Sequence, residues 1–191
     1  GEDIALLSGD ALLTKAFEVM LEPDSVALAG ASRAAEAAGI LAKAAGDHGM
    51  VGGQVIDLQS EGHEIDLKTL QIMDANKTGA LIRAAAGMGC ALAGASKEMR
   101  KAADDYAKAI GLAFQIEDDI LDVEGDTKSI GKPVGSDAEN EKSTYVSILG
   151  ISKAQQSVKD LTKEAVSALE PFGERAEFLK TLAESLSSRK N

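Results

Sequence analysis

Aromatic side chains are nearly missing from this chain: its 191 residues hold two Tyr, four Phe and no Trp. Aromatic and β-branched residues favour strands, so their scarcity excludes a β-sandwich or barrel. A single cysteine, Cys90, excludes a disulfide framework and a Cys-based zinc cluster within one chain. Only two histidines, His48 and His63, are present, which argues against a His-rich metal site. Basic residues are outnumbered, 20 against 31 acids, for a net charge of −11. A nucleic-acid groove needs a basic footprint, so nucleic acid is not an expected partner. The longest apolar run, Ala84 to Ala95, has 12 residues, too short to span a bilayer. With no secretory signal at the start, the expectation is a soluble cytoplasmic protein.

What is present is alanine and leucine, 32 and 20 residues. Both are strong helix formers, and the expected fold class is all-α, a helical bundle in one domain over 1–191. The pattern predicts helices over 2–21, from a cap at Asp24 or Ser25 to Ala45, over 54–61 and, capped by Asp66, to Ala75. Gly46 to Gly53 reads as a turn and Asn76-Lys77-Thr78-Gly79 as a break, with Thr78 capping the helix to Ala93. Ser96 starts the longest helix, to Val123, and the glycine-bearing stretch 125–135 reads as a loop. Lys142 to Gly150 is helical. Ser152 with Gln155 forms a capping-box pattern opening a helix to Glu170. Pro171 and Gly173 end it before a last helix over 174–188. The chain opens on Gly1 rather than Met, which predicts a tag remnant or a piece of something longer.

Chemistry concentrates in Gln115-Ile116-Glu117-Asp118-Asp119-Ile120-Leu121-Asp122, where six acids lie between Glu117 and Asp126 with no base among them. On a helix Asp118 and Asp122 sit about 6 Å apart on one face, with Gln115 a turn earlier and Asp119 at the flank. Like charges one turn apart repel, and a helix C-terminus favours cations. A divalent metal is the natural partner, and all-oxygen ligands favour Mg²⁺, Mn²⁺ or Ca²⁺ over zinc. An EF-hand fits poorly: counted from Asp122, glycine falls at the fourth position and Pro133 takes the place of the final Glu. The plain alternative is a solvated acidic helix end. Against it stand Lys77-Thr78, Lys128 and Lys132 in the following loop, and Lys142. Mg²⁺ shares itself between carboxylates and phosphate oxygens, so carboxylates, metal and lysines around one hollow describe a diphosphate site.

Five motifs occur in order: Gly52-Gly53-Gln54-x-x-Asp57-Leu58, Lys77-Thr78-Gly79-Ala80-Leu81, Phe114-Gln115-x-x-Asp118-Asp119-Ile120-Leu121-Asp122, Gly125-Asp126-x-x-x-x-Gly131-Lys132 and Glu141-Lys142-Ser143-Thr144-Tyr145. Together they resemble the trans-isoprenyl diphosphate synthases, in particular the bacterial farnesyl diphosphate synthases (geranyltranstransferases), over essentially the whole chain. The resemblance implies helices around a deep aliphatic cavity, usually in a homodimer. It implies a Mg²⁺-dependent prenyltransferase joining an allylic diphosphate, dimethylallyl or geranyl, to isopentenyl diphosphate. Asp118, Asp119 and Asp122 match the second aspartate-rich motif as metal ligands. Lys77, Lys132 and Lys142 match lysines that hold the allylic diphosphate. Thr78 and Gln115 match polar residues near the reacting carbons. Gln54 and Asp57 match the helix across the cavity, where a purely structural role for Gln54 is an equal alternative.

The family's first aspartate-rich motif and its isopentenyl-binding Lys, Arg and His residues find no match. The other tandem pair, Asp104-Asp105, lies 14 residues before Asp118, roughly 21 Å along the helix and too far to share its metal. The expectation is therefore the C-terminal two-thirds of a synthase, inactive when isolated. Two other classes remain: a non-catalytic diphosphate-binding or regulatory subunit, and a class I terpene cyclase. His48 and His63 read as surface residues, Cys90 as a small core residue, and residues 24–61 as the dimer face implied by the resemblance.

Overall fold

The computed structural model describes residues 1–124 and 142–187; the predicted loop with Asp126, Lys128, Gly131, Lys132 and Pro133 lies outside them. The described residues are helical, with no strand among them. They form α1 (Glu2–Leu21), α2 (Pro23–Ala29), α3 (Ala31–Ala45), α4 (Met50–Ser60), α5 (Leu67–Asp74), a π-helical turn (Ala75–Gly79), α6 (Ala80–Ala93) and α7 (Lys97–Glu124). After the undescribed stretch come α8 (Tyr145–Leu149), α9 (Ile151–Ala168), a 3-10 turn (Glu170–Ala176) and α10 (Glu177–Ser187).

The central element is α7, which packs on α6 along one side and α9 along another. Its apolar residues feed two cores. Near its start, Tyr106, Ala107, Ala109 and Ile110 meet Ala165, Leu169, Ala176 and Ala183. Near its end, Ile116 and Ile120 meet Leu70, Met73, Tyr145 and Val158. Small residues let the helices approach: Ala34 and Ala37 of α3 are buried, as are Ala84 and Ala91 of α6, the helix packed on α3. By contrast α1 buries no residue and leaves Leu6, Leu7 and Leu12 exposed.

Asp66 caps α5 as expected, its Oδ1 accepting from Thr69 N at 2.8 Å, and Ser96 Oγ accepts from Met99 N at the start of α7. Four local expectations fail for physical reasons. The helix expected from a cap at Asp24 or Ser25 to Ala45 divides at Gly30, whose φ of 87° an L side chain rarely adopts, and Pro23 occupies its first turn with Glu22 as N-cap. The glycines before Gln54 do not all form a turn; α4 starts at Met50 and carries Gly52 and Gly53 inside it. The expected break at 76–79 is a helical bulge that joins α5 to α6 without interruption, so Thr78 caps nothing. The Ser152–Gln155 pattern is unused because α9 begins at Ile151 after Gly150; the reciprocal box is Thr144 with Ser147, opening α8.

Gly53 explains why α4 needs glycine. A Cβ there would lie 2.2 Å from Lys77 N and 2.6 Å from Lys77 Cα, so α4 rests directly on the backbone of the bulge. Gly53→Ala therefore forces two backbones apart and should cost about 1–3 kcal/mol or more by denaturant unfolding. Gly89→Ala, inside α6 with nothing within 4 Å of its Cβ position, should instead gain about 0.5–1 kcal/mol.

Candidate diphosphate and metal site

The π turn inserts one residue into the helix running from α5 to α6, and such bulges concentrate at functional sites. It carries Lys77 and Thr78, both half-buried, and packs on α4 and α7. Lys77 Nζ donates to Asp57 Oδ2 of α4 at 2.6 Å. Asp57 is itself buried, at 8% exposure, so the ammonium it holds is the natural compensation for its charge. Lys142 lines the same small cavity as Asp57, together with His63, Ile65 and Ser143. Ser143 Oγ accepts from Ile65 N at 3.1 Å, tying the segment before α8 to the connector after α4. Of the three predicted phosphate lysines, Lys77 pairs with Asp57 and Lys142 lines a cavity that Asp57 also lines, while Lys132 lies outside the described residues. Gln54, a turn before Asp57 on α4, is half-buried, as is Gln115 on α7.

The three predicted metal ligands of α7 have different surroundings. Asp118 is half-buried and Asp122 is buried at 2% exposure. Asp119 Oδ2 accepts from Tyr145 N at 2.7 Å, so this carboxylate holds the first turn of α8. Among the described residues no three His, Cys, Asp or Glu side chains converge as a closed metal cage. The donors nevertheless fit a hard cation. They are carboxylates a turn apart, and an ion they hold would complete its shell with water and phosphate oxygens, as Mg²⁺ does.

Two residues given no role in the sequence stand at the centre of this arrangement. Asp74, the last residue of α5, is 6% exposed. Burial pushes its carboxyl up to about 6, while the Tyr145 hydroxyl, the Lys77 charge and the Gln115 amide pull it down and Asp57 adds to the rise. The buried Tyr145 hydroxyl makes no aligned hydrogen bond. Its pKa is raised by burial first and then by the neighbouring Asp74 carboxylate. The signal in the sequence is faint: one acid after Leu70-Gln71-Ile72-Met73, and one of only two tyrosines.

Nearby, Arg83 of α6 forms a two-point pair with Asp104 of α7 at 2.7 and 2.8 Å, which gives both a structural role. His48 and His63 are exposed and Cys90 is buried, as expected. Beyond the π turn an apolar chamber of about 780 Å³ opens between α6, the first half of α7, the 3-10 turn and α10. Ile82, Ala86, Gly89, Met99 and Phe172 are among its walls. No helix among the described residues is long and apolar enough to cross a membrane.

The described residues thus form an all-helical frame that carries lysines and carboxylates around the π turn and an apolar chamber elsewhere along α6 and α7. The polyprenyl synthetase family model matches residues 1–183, and the chain belongs to that family. It is 42% identical to a farnesyl diphosphate synthase of Haemophilus influenzae across 100% of this chain and 64% of the relative. To that of Escherichia coli it is 42% identical across 92% and 59%. The fold superposes on an FPP/GFPP synthase from Zymomonas mobilis with a TM-score of 0.81 at 36% identity, covering 95% of this chain and 60% of that one. It also superposes on a geranyltransferase from Helicobacter pylori complexed with magnesium and isoprenyl diphosphate, with a TM-score of 0.78 at 31% identity. That match covers 95% of this chain and 58% of the neighbour. The chain thus spans about three-fifths of the length of these relatives.

Asp74 should leave a mark on stability. Its folded pKa of about 6 lies above the ordinary 3.8. Such an acid favours folding most below 3.8, and that contribution is lost as pH rises through about 6. The loss amounts to ~3 kcal/mol for a shift of this size. Asp66, capping α5, is shifted the other way. Comparing unfolding free energies from pH 4 to 7, Asp74→Asn should flatten the decline; an unchanged slope would show that Asp74 is not held as described.

Proposed function

We propose that this chain builds the diphosphate-holding part of a Mg²⁺-dependent prenyltransferase site. There an allylic diphosphate, dimethylallyl or geranyl, condenses head to tail with isopentenyl diphosphate to give a farnesyl-type diphosphate. One observation carries this proposal: the π turn that holds Lys77 on buried Asp57 while packing against the acid-bearing helix α7. A lysine half-buried beside its counter-ion is pre-placed for a phosphate oxygen, and Lys142, which lines the same cavity as Asp57, would supply a second ammonium. Lys132 is the third lysine of the set. Charge-assisted hydrogen bonds of this kind are among the strong ones.

Asp118 and Asp122, with the remaining capacity of Asp119, would hold Mg²⁺; Mn²⁺ suits the same donors. The bound metal supplies Lewis-acid stabilisation of a departing diphosphate. Lys77, Lys132 and Lys142 neutralise the charge that builds on the leaving oxygens. Thr78 on the π turn and Gln115 on α7 offer polar atoms to orient the allylic carbon and the proton lost from the isopentenyl unit. Gln54 completes the α4 side of the site beside Asp57. The apolar chamber, within the size range of ligand pockets, takes the hydrocarbon tail and keeps water from the reactive carbon. A cytoplasmic homodimer completes the proposal.

Titration of the chain with Mg²⁺ and inorganic pyrophosphate, followed by calorimetry, tests this site directly. Lys77→Ala should weaken binding about 10–100-fold, the worth of one charged hydrogen bond, and Asp118→Asn should remove the metal dependence. Unchanged affinity in both variants would overturn the proposal. Incubated alone with Mg²⁺, geranyl diphosphate and isopentenyl diphosphate, the 191-residue chain should yield no product, and clear turnover would refute that expectation.

A further inference from the structure

Lys142 belongs to the site but to no helix. With Ser143 and Thr144 it lies ahead of α8, so no helical ladder fixes its backbone. Hydrogen bonds from other elements do that work instead. Ser143 Oγ accepts from Ile65 N at 3.1 Å, in the connector after α4. Thr144 and Ser147 exchange their reciprocal cap bonds at 2.9 and 3.0 Å. Tyr145 N donates to Asp119 Oδ2 at 2.7 Å, the shortest of the four and the one that reaches α7. The Tyr145 side chain, 1% exposed, packs among Leu70 and Met73 of α5 and Ile116 and Ile120 of α7. The segment is thus pinned three residues after Lys142 by one carboxylate of the acid-bearing helix.

That carboxylate points away from its neighbours. Successive helical residues turn by about 100°, so Asp119 does not share the face on which Asp118 and Asp122 stand one turn apart. One of its oxygens is turned to the backbone of α8. An amide in the first turn of a helix has no intrahelical acceptor, and a charged acceptor makes one of the stronger hydrogen bonds. We propose that Asp119 is a positioning residue: by holding the Tyr145 amide it fixes the segment from which Lys142 reaches the cavity shared with Asp57, and so places the second ammonium for a diphosphate. The metal then falls chiefly to Asp118 and Asp122. Two neighbouring acids of α7 therefore serve different halves of the site, Asp118 the metal and Asp119 the lysine. The proposal rests on Lys142 holding a diphosphate.

Calorimetric titration of the 191-residue chain with inorganic pyrophosphate and Mg²⁺ separates these roles. Asp119→Asn keeps an oxygen acceptor for the Tyr145 amide but loses the charge a metal needs, whereas Asp119→Ala loses both. Asp119→Asn should bind within about threefold of wild type with its Mg²⁺ dependence kept, and Asp119→Ala about 10-fold or more weaker, as Lys142→Ala does. Added to Lys142→Ala, Asp119→Ala should cost less than about twofold more, because the lysine it positions is already gone. Amide hydrogen exchange reads the anchor without ligand. Tyr145 N–H should be protected in wild type and Asp119→Asn and exchange about 10-fold faster in Asp119→Ala, with α6 protection unchanged. If Asp119→Ala loses protection throughout, Asp119→Asn alone decides. An Asp119→Asn variant that binds about 10-fold or more weaker, with its Mg²⁺ dependence gone, overturns the proposal. So do losses at Asp119 and Lys142 that simply add, or a Lys142→Ala variant that binds like wild type. Each of these leaves the diphosphate site at Lys77 standing. Failure of wild type to bind pyrophosphate overturns both.

Discussion

The candidate site depends on one place where two backbones touch. Gly53 of α4 lies so close to the Asn76–Lys77 peptide that no side chain fits between them. That contact sets how far the π turn stands from α4, and so lets Asp57, one helical turn beyond Gly53, reach Lys77. The bulge in turn sits between α5 and α6 and packs on α7, the helix with the acids. A wider spacing would leave Asp57 buried without its cation, a costly state. Close packing and charge compensation are thus the same feature seen at two scales. The first brings the helices together, and the second requires that they be together.

Excess negative charge is the second theme. Asp57, Asp74 and Asp122 are all buried, at 8%, 6% and 2% exposure. A chain selected for stability alone would not gather acids in this way, since each loses hydration and repels its neighbours. Tyr145 ties the set together physically. Its backbone N–H is spent on Asp119 and its hydroxyl lies beside Asp74, so one residue spans the gap between the acid-bearing end of α7 and the end of α5. The arrangement makes sense if cations and a phosphate pass through, because the same carboxylates then become the fixed half of a larger, neutral assembly.

The all-α class was legible from composition, because scarce aromatics and abundant alanine leave few other folds. Caps were legible where a side chain acts on its own helix, as at Asp66 and Ser96. The failures share a cause. Gly52, Gly53 and the Asn76–Gly79 segment carry turn-like residues, but tertiary contact keeps them helical, and local propensity is a weak prior against that. The Ser152–Gln155 pattern fits a capping box as well as Thr144–Ser147 does, yet the positive φ at Gly150 starts α9 two residues too early to use it. Most of the candidate site was proposed from residue types, the lysines and the α7 acids by their charge and Asp57 only through the family resemblance. Asp74 was not, because its importance lies in burial and in what surrounds it, neither of which spacing reveals.

The short chain adds a last constraint. It spans about three-fifths of its relatives, yet it contains both the charged cluster and the apolar chamber behind it. The two lie on opposite stretches of the same helices: α6 leads from the Lys77 turn to Gly89 and Ala93 in the chamber, and α7 runs back from Met99 to Asp118. Under the proposed function, α6 and α7 would take a diphosphate head at one end and a hydrocarbon tail along their length. The alanine and glycine that first signalled only a helical protein do a second job here. They keep the helix surfaces low, which leaves the apolar chamber open between them.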